Sequence, residues 1–341
     1  MGRTSIEWCT DVWNVIRGCS KVSPGCKNCY AERVATRFSG PGQAYEGLVT
    51  VRSRHPQTGA ATTGVRGHWS GVVRMVPERL ADPLRWRKPR SIFVNSMSDL
   101  FHESLTNNQI AAIFGVMAAA PHHRFLVLTK RAARMKAWFK WLLAEVESSF
   151  VPPAEICGIN AVNREVDIDS AGLTSAWPLP NIWLGVSVEN QEAADERVPD
   201  LLETPAVVRF LSCEPLLGPL YLTPWLAGIA TRGVIQPDGS LAAKPSPPLD
   251  WAIAGCESGP GARTCEVAWL RSLRDQCAAA SVAFFLKQAQ PTIEVGPSAV
   301  TPSQTAISWG SGSKRKSGKV IQLPYLDGVQ HAAFPEVRHV A

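Results

Sequence analysis

The sequence predicts an α/β fold, a partial or complete TIM-like (β/α) barrel with parallel strands and several loop insertions. Three observations carry this expectation. Short apolar runs rich in β-branched and aromatic residues recur along the 341 residues, as buried strands do. Amphipathic stretches lie between many of them, and strand–helix alternation means parallel strands joined by right-handed crossovers. The count of about seven runs suits a barrel or part of one, with a doubly wound open sheet as the alternative.

In chain order the strand runs are Val12–Ile16, Ser91–Asn95, Phe125–Leu128, Ile182–Val186, Val207–Leu211, Trp251–Ala254 and Val282–Leu286. Helical patterning covers Ala31–Phe38, Asn107–Ala119 (with Asn107 as its cap), Lys130–Glu147, Gln191–Leu202 and Glu266–Ala279. Residues 1–290 are expected to form the barrel domain, with loop insertions near 40–71, 151–180 and 228–248. Residues 291–341 read as a C-terminal extension with a basic, Ser/Gly-rich loop.

Hydrophobic residues make up 45% of the chain, enough for a sizeable core and against wholesale disorder. No apolar run is long enough to span a bilayer. Residues 1–14 carry Arg3, Glu7 and Asp11 and no long apolar stretch, so they do not read as a secretion signal. The expectation is a cytoplasmic protein without a membrane partner. Nine cysteines, an odd number, argue against a disulfide framework in such a protein.

Three of those cysteines fall within eleven residues, as Cys19, Cys26 and Cys29 in a C-x6-C-x2-C loop between the first strand run and the first helix. A C-x2-C pair at a helix start points two sulfurs at one centre, where the helix dipole favours thiolate. Three readings compete. A 4Fe–4S cluster held by three thiolates leaves one iron open to bind a cofactor or substrate. A structural zinc wants a fourth ligand, which a distant cysteine or histidine would have to supply. Plain buried cysteines fit poorly with so glycine- and lysine-rich a loop.

The strand ends are polar. They read Ser96-Met97-Ser98-Asp99, Thr129-Lys130-Arg131, Ser187-Val188-Glu189-Asn190, Ser212-Cys213-Glu214-Pro215, Gly255-Cys256-Glu257-Ser258-Gly259 and Lys287-Gln288. In parallel α/β folds the active site lies at such carboxyl ends. Any single segment is equally ordinary turn or cap chemistry; six together point to a polar pocket.

Charge is uneven. Residues 52–90 hold nine Lys/Arg against Glu78 and Asp82, a local net of +7 against +6 for the whole chain. Trp69 and Trp86 are interleaved, and further cations include Arg134 and the Lys314-Arg315-Lys316 tract. Basic residues with aromatics are the footprint of a phosphate backbone. Arg85, Arg87, Lys88 and Arg134 are therefore candidate contacts to DNA, RNA or a nucleotide. The alternative is a solvated basic face.

A strand, a three-cysteine loop and a helix opening a β/α barrel resemble the radical S-adenosylmethionine superfamily. Asn14-Val15-Ile16-Arg17-Gly18-Cys19 and Cys26-Lys27-Asn28-Cys29-Tyr30 look like its first strand and cluster loop. The superfamily's common spacing is C-x3-C-x2-C, and the longer first gap here departs from it. A closer resemblance is to an uncharacterised phage "Gp" family of three-Cys-motif proteins. It rests on Thr4-Ser5-Ile6-Glu7-Trp8, Gly18–Glu32, Phe93–Glu103, Val127–Arg131, Trp183–Gln191, Arg209–Gly218, Gly255–Ala262 and Phe284–Gln288. Cys256, where that family usually has a second glycine, and Ala289-Gln290, where it has Trp-Gly, depart from the pattern.

The superfamily resemblance implies an enzyme that takes one electron from a donor and forms a 5′-deoxyadenosyl radical. Cys19, Cys26 and Cys29 would hold the cluster. Ser96, Ser98 and Asp99 would meet the amino group of S-adenosylmethionine, with Ser187, Glu189 and Asn190 at its ribose and Gly255 and Glu257 near its adenine or methionine. Lys130, Arg131, Glu214 and Lys287 would remain for the substrate, which the basic residues make a nucleic acid or nucleotide to be modified or repaired. The alternative is a zinc- or cluster-stabilised nucleic-acid-binding protein without catalysis.

Overall fold

A computed structural model describes residues 4–54, 61–174, 176–226, 228, 233–235, 241–243, 248–259, 261–290, 307–308, 315–316 and 320–336. Seven parallel strands form the principal sheet: β1 (Asp11–Trp13), β2 (Ser91–Val94), β3 (Arg124–Thr129), β4 (Ile182–Ser187), β5 (Val208–Cys213), β6 (Trp251–Gly255) and β7 (Ala283–Ala289). They are ordered β1-β2-β3-β4-β5-β6-β7, which is also their order in sequence. A doubly wound sheet reverses at a switch point; this one never does, so the topology is that of a partial β/α barrel. Beyond β7 the sheet continues into antiparallel Val320–Gln322 and Arg315–Lys316.

Six of the seven predicted strand runs are strands, and the first, Val12–Ile16, breaks after Trp13, with Ile16 in a separate short strand. Their residues are apolar on both faces, as in β4 and β6, where every position is buried, because in a β/α barrel arrangement helices cover the outer face and the strands' own side chains pack the inner one. The five predicted helices are α1 (Tyr30–Arg37), α2 (Asn107–Ala118), α3 (Ala132–Ser149), α5 (Gln191–Leu202) and α6 (Val267–Ala279), with α4 (Pro153–Val162) between α3 and α5.

Two further expectations need correction. The cap of α2 is Thr106, not Asn107: its hydroxyl accepts the Gln109 amide while the Gln109 side chain accepts the Thr106 amide. The insertion near 151–180 contains α4, whose largely apolar Pro153-Ala154-Glu155-Ile156-Cys157-Gly158 start hides a helical period. A Cβ on Gly115 of α2 would strike the Cys157 carbonyl, so a bare backbone is what lets α4 lie against α2. The insertion near 40–71 is an antiparallel hairpin, Val49–Arg54 with Ala61–Trp69. The insertion near 228–248 holds a short one, Gly233–Ile235 with Leu241–Ala243.

The chain divides into two compact units, residues 1–182 and 183–341. In the first, Trp138 of α3 stacks on Phe114 of α2 with centroids 4.4 Å apart and meets Phe101 and Phe139. In the second, fully buried Trp251 of β6 is ringed by Trp183, Phe210, Phe285 and Phe334 and donates its indole N–H to the Ala333 carbonyl. Among the described residues no helix is long and apolar enough to cross a membrane.

Candidate functional site

The three-cysteine loop is built outward from β1. After Trp13 the chain makes a short antiparallel pair, Ile16–Arg17 with Arg74–Met75, and then turns at Gly18. Gly18 has φ +90°, and a Cβ there would run into the Val72 carbonyl, so only glycine fits. A parallel bridge from Gly18 to Ser98 ties the loop's start to the end of β2. Asn95, in the left-handed region at φ 58°, accepts both the Val15 and Ile16 amides on its Oδ1. Asn tolerates that conformation because its short side chain bonds locally.

Cys26 closes one 3-10 turn, Pro24–Cys26, and Cys29 occupies the N-cap position of α1. Of the nine cysteines, Cys9, Cys157, Cys213, Cys256, Cys265 and Cys277 are buried; Cys19, Cys26 and Cys29 are the three that are not. Burial raises the Cys29 thiol, while the backbone N–H groups of Glu32 and Ala31 at the helix start pull it down, and the charge of Cys26 opposes them. Cys19 is pushed up to about 12 by burial and then by Asp99, with Arg131 acting in the opposite sense and Cys29 adding to the rise. The three sulfurs thus feel one another, and a positive end faces two of them. The three cysteines share one loop and are half-buried, unlike the six that lie in the core. Among the described residues no group of three or more His, Cys, Asp or Glu that could hold a metal ion stands out.

Arg131, at the start of α3, is only 6% exposed. Its Nε donates to Glu103 at 2.9 Å, Nη1 to Asp99 Oδ2 at 3.1 Å and Cys19 Sγ at 4.0 Å, and Nη2 to the Ser20 carbonyl at 3.1 Å and hydroxyl at 2.8 Å. Asp99 in turn accepts the amides of Phe101 (2.9 Å) and Lys130 (3.1 Å), the Thr129 hydroxyl (2.7 Å) and Arg131. Both of its oxygens are engaged inside the protein. His102 Nδ1 accepts the Ser104 amide, and its Nε2 lies 2.9 Å from the Ser20 hydroxyl. Burial, then Arg131, lowers the pKa of that imidazole.

The sequence-predicted residues of this unit therefore come together, in altered roles. Ser98 donates to the Ile16 carbonyl at 3.0 Å and Ser96 to Asn14 at 3.2 Å, while Tyr30 donates to the Ser96 carbonyl. Asp99 and Arg131 hold the loop. Lys130 is half-buried, and its amide caps Asp99. Ser20, His102, Glu103 and Glu32 are residues that the sequence reading missed. Buried Glu32 accepts Lys21 at 2.8 Å and the Trp69 amide at 2.8 Å, which fastens the loop and the hairpin to α1. Single polar residues carry no periodic signal; only their partners identify them.

The second unit gathers the other predicted residues into internal ion pairs and a helix cap. Glu189 is fully buried and bonded to Arg197 at 3.0 Å; Arg197 also donates to the Ser187 carbonyl at 2.8 Å. Asn190 caps α5 by accepting the Ala193 amide. Glu257 takes three donors from Arg263, at 2.6–2.9 Å. Glu214 accepts Lys287 at 2.7 Å and Gln288 at 2.7 Å, and a Cβ on Gly255 would crowd the Glu214 carboxyl. Cys256 lies against Cys265, whose thiol is raised first by its hydrogen bond to Cys256 and then by burial.

Arg85, Arg87 and Lys88 are exposed, and beside them the Arg90 guanidinium stands 4.7 Å over the Trp86 ring. Arg134 instead turns inward, donating to Asn107 at 2.7 Å and to the Leu105 carbonyl. His122 and His123 bond the Trp86 and Pro83 carbonyls, in keeping with a loop role. The Lys314 and Lys319 positions lie outside the described residues, and nothing is described of the Arg315 and Lys316 side chains.

A parallel sheet of sequential β/α units, with a cysteine loop after its first strand, defines an α/β protein of the partial-barrel class. A family model described as "Protein of unknown function (DUF5131)" matches residues 3–335, and the chain belongs to that family. Comparison with curated proteins and with solved structures returns no match.

Proposed function

We propose that this protein is an iron–sulfur enzyme of the radical S-adenosylmethionine type, acting on a nucleic acid or nucleotide and fed by an electron donor. One observation carries the reading. The three cysteines of the C-x6-C-x2-C motif are the three outside the core, in the loop between the first parallel strand and the first helix. That is the layout of the superfamily this sequence resembles, and the phage three-Cys family likeness belongs with it.

Cys19, Cys26 and Cys29 would hold a 4Fe–4S cluster, and S-adenosylmethionine would bind beside it. When bound, the pair supplies one-electron cleavage of the cofactor's C–S bond and hydrogen abstraction from a substrate. The chain's own groups set the stage. The helix-start amides at Cys29 and the Arg131 guanidinium offset thiolate charge. Ser96 and Ser98 each donate their proton within the protein and keep oxygen lone pairs for an ammonium group. Asp99 orients Arg131 and is not open to a second cation. In the other unit, Glu214 and Lys287 neutralise each other in a half-buried pair, which a phosphate or carboxylate substrate would open by competing for the lysine.

The nucleic-acid partner rests on the exposed Arg85, Arg87 and Lys88 beside Trp86. The experiment is iron, sulfide and zinc content with a visible spectrum on anaerobically purified protein. About four irons with matching sulfide, lost in Cys26→Ala, are expected. One zinc without iron would make the loop a structural clip and favour the non-catalytic nucleic-acid-binding reading. Unchanged iron in Cys26→Ala would sink the ligand assignment.

A further inference from the structure

The longer first gap of the motif leaves six residues between Cys19 and Cys26, while Cys26 and Cys29 are held locally by the 3-10 turn and by α1. A flexible span of that length must be closed at an entropic cost before Cys19 can act with the other two. The structure assigns the closing part. We propose that Arg131 is the positioning residue of the three-cysteine loop, clamping Cys19 and Ser20 to the ends of β2 and β3.

The geometry uses the whole guanidinium. An arginine has five N–H donors in a fixed plane. Here one reaches Glu103, two on Nη1 reach Asp99 and Cys19 Sγ, and two on Nη2 reach the Ser20 carbonyl and hydroxyl. Asp99, which fixes the orientation of that plane, is itself fixed by the Phe101 and Lys130 amides and by Thr129 at the end of β3. His102 closes the far side at Ser20. The anchors are Thr129 and Lys130 at the end of β3 and the segment from Asp99 to Glu103 between β2 and α2, with Asp99 buried and Glu103 at the surface. A lysine offers three donors from a point and cannot span Glu103, Asp99 and Ser20 together.

The role toward the metal rests on the cluster reading above; the role toward the loop does not. Hydrogen exchange across residues 18–29 of the metal-free protein reads the second, and iron release to a chelator from the reconstituted protein reads the first. Arg131→Met should speed exchange in residues 18–23 about tenfold or more, the scale of losing charge-assisted hydrogen bonds. Exchange in α2 and β4 should stay unchanged. Arg131→Lys should recover only part of the protection. Iron release should quicken by a similar factor, and the reduction potential should fall, because a positive charge beside Cys19 is gone. Ser20→Ala, a surface-tolerant change, should move both readouts the same way by less.

Unaltered exchange in Arg131→Met overturns the clamp. Should that variant fail to fold, unaltered exchange in Ser20→Ala overturns it instead. Faster exchange with a wild-type protein that takes up no iron keeps the clamp and discards the cluster. Faster exchange with unchanged iron release and potential refutes its bearing on the metal.

Discussion

Asp99 offers the sharpest test of how the site is held. The carboxylate is 6% exposed and accepts four hydrogen bonds, two on each oxygen. Asp99→Ala strands the Phe101 and Lys130 amides and removes one of the carboxylates facing buried Arg131. Leaving a buried donor unpaired costs about 1–3 kcal/mol, and breaking a buried ion pair about 3–5 kcal/mol. Glu103 still faces Arg131, so the sum is damped, and about 4 kcal/mol is expected. Against total stabilities of about 5–15 kcal/mol that is a large share. Asp99→Asn separates charge from shape. Its oxygen can still accept Phe101 and Thr129, but its amide then faces Lys130 N–H and Arg131, donor against donor. A loss of about 2–3 kcal/mol is expected, most of the alanine effect. Urea titration read by tryptophan fluorescence measures both, provided the m-value stays constant. An Asp99→Ala protein within about 1 kcal/mol of wild type would refute the network.

Other expectations follow from the same network and its surroundings. His102, His123 and His331 all have pKa values lowered from 6.5, first by burial. The unfolded chain therefore binds more protons below about pH 6.5, and stability falls as pH drops through that value and levels off below the folded pKa values. His102→Gln should flatten part of that slope in urea midpoints taken from pH 8 to 5, and an unchanged slope would clear this residue. Mild alkylation of metal-free protein should label Cys26 first while sparing the six buried cysteines, with Cys29 and Cys19 lagging because burial raises both thiols, Cys19 up to about 12. Mass mapping that finds Cys213 or Cys277 labelled early would contradict their burial. Reversing Arg85, Arg87 and Lys88 to Glu should weaken nucleic-acid binding and reduce the salt slope by up to about 0.9 for each phosphate no longer neutralised. Equal affinity at low salt would retire that surface as the binding face.

The sheet was legible because burial on both faces leaves continuous apolar runs such as Trp251–Ala254, bounded by polar strand ends. Helix α5 was legible to the residue, since its Asn190 cap and amphipathic period agree. Helix α4 was not, because it is apolar nearly all round and starts at the second of two prolines. The cysteines of the site stood out by spacing alone. Their supports did not: Asp99 reads from the sequence as an open ligand, and only its four donors show it occupied. Ser20 and His102 are separated by 82 positions, a pairing no local pattern records.

The strand order has a bearing on how the protein is made. Every member of the clamp, from Cys19 to Arg131, is translated before residue 132, as are β1, β2 and β3, of which β1 pairs with β2 and β2 with β3; only the β3–β4 pairing waits for later residues. When Arg131 is added, roughly 210 residues of the 341 are still to be synthesised. At about 5–20 residues per second that is roughly 10–40 s, long compared with the folding of small domains. Every brace of the cysteine loop is therefore already on the nascent chain while the second unit is still being translated.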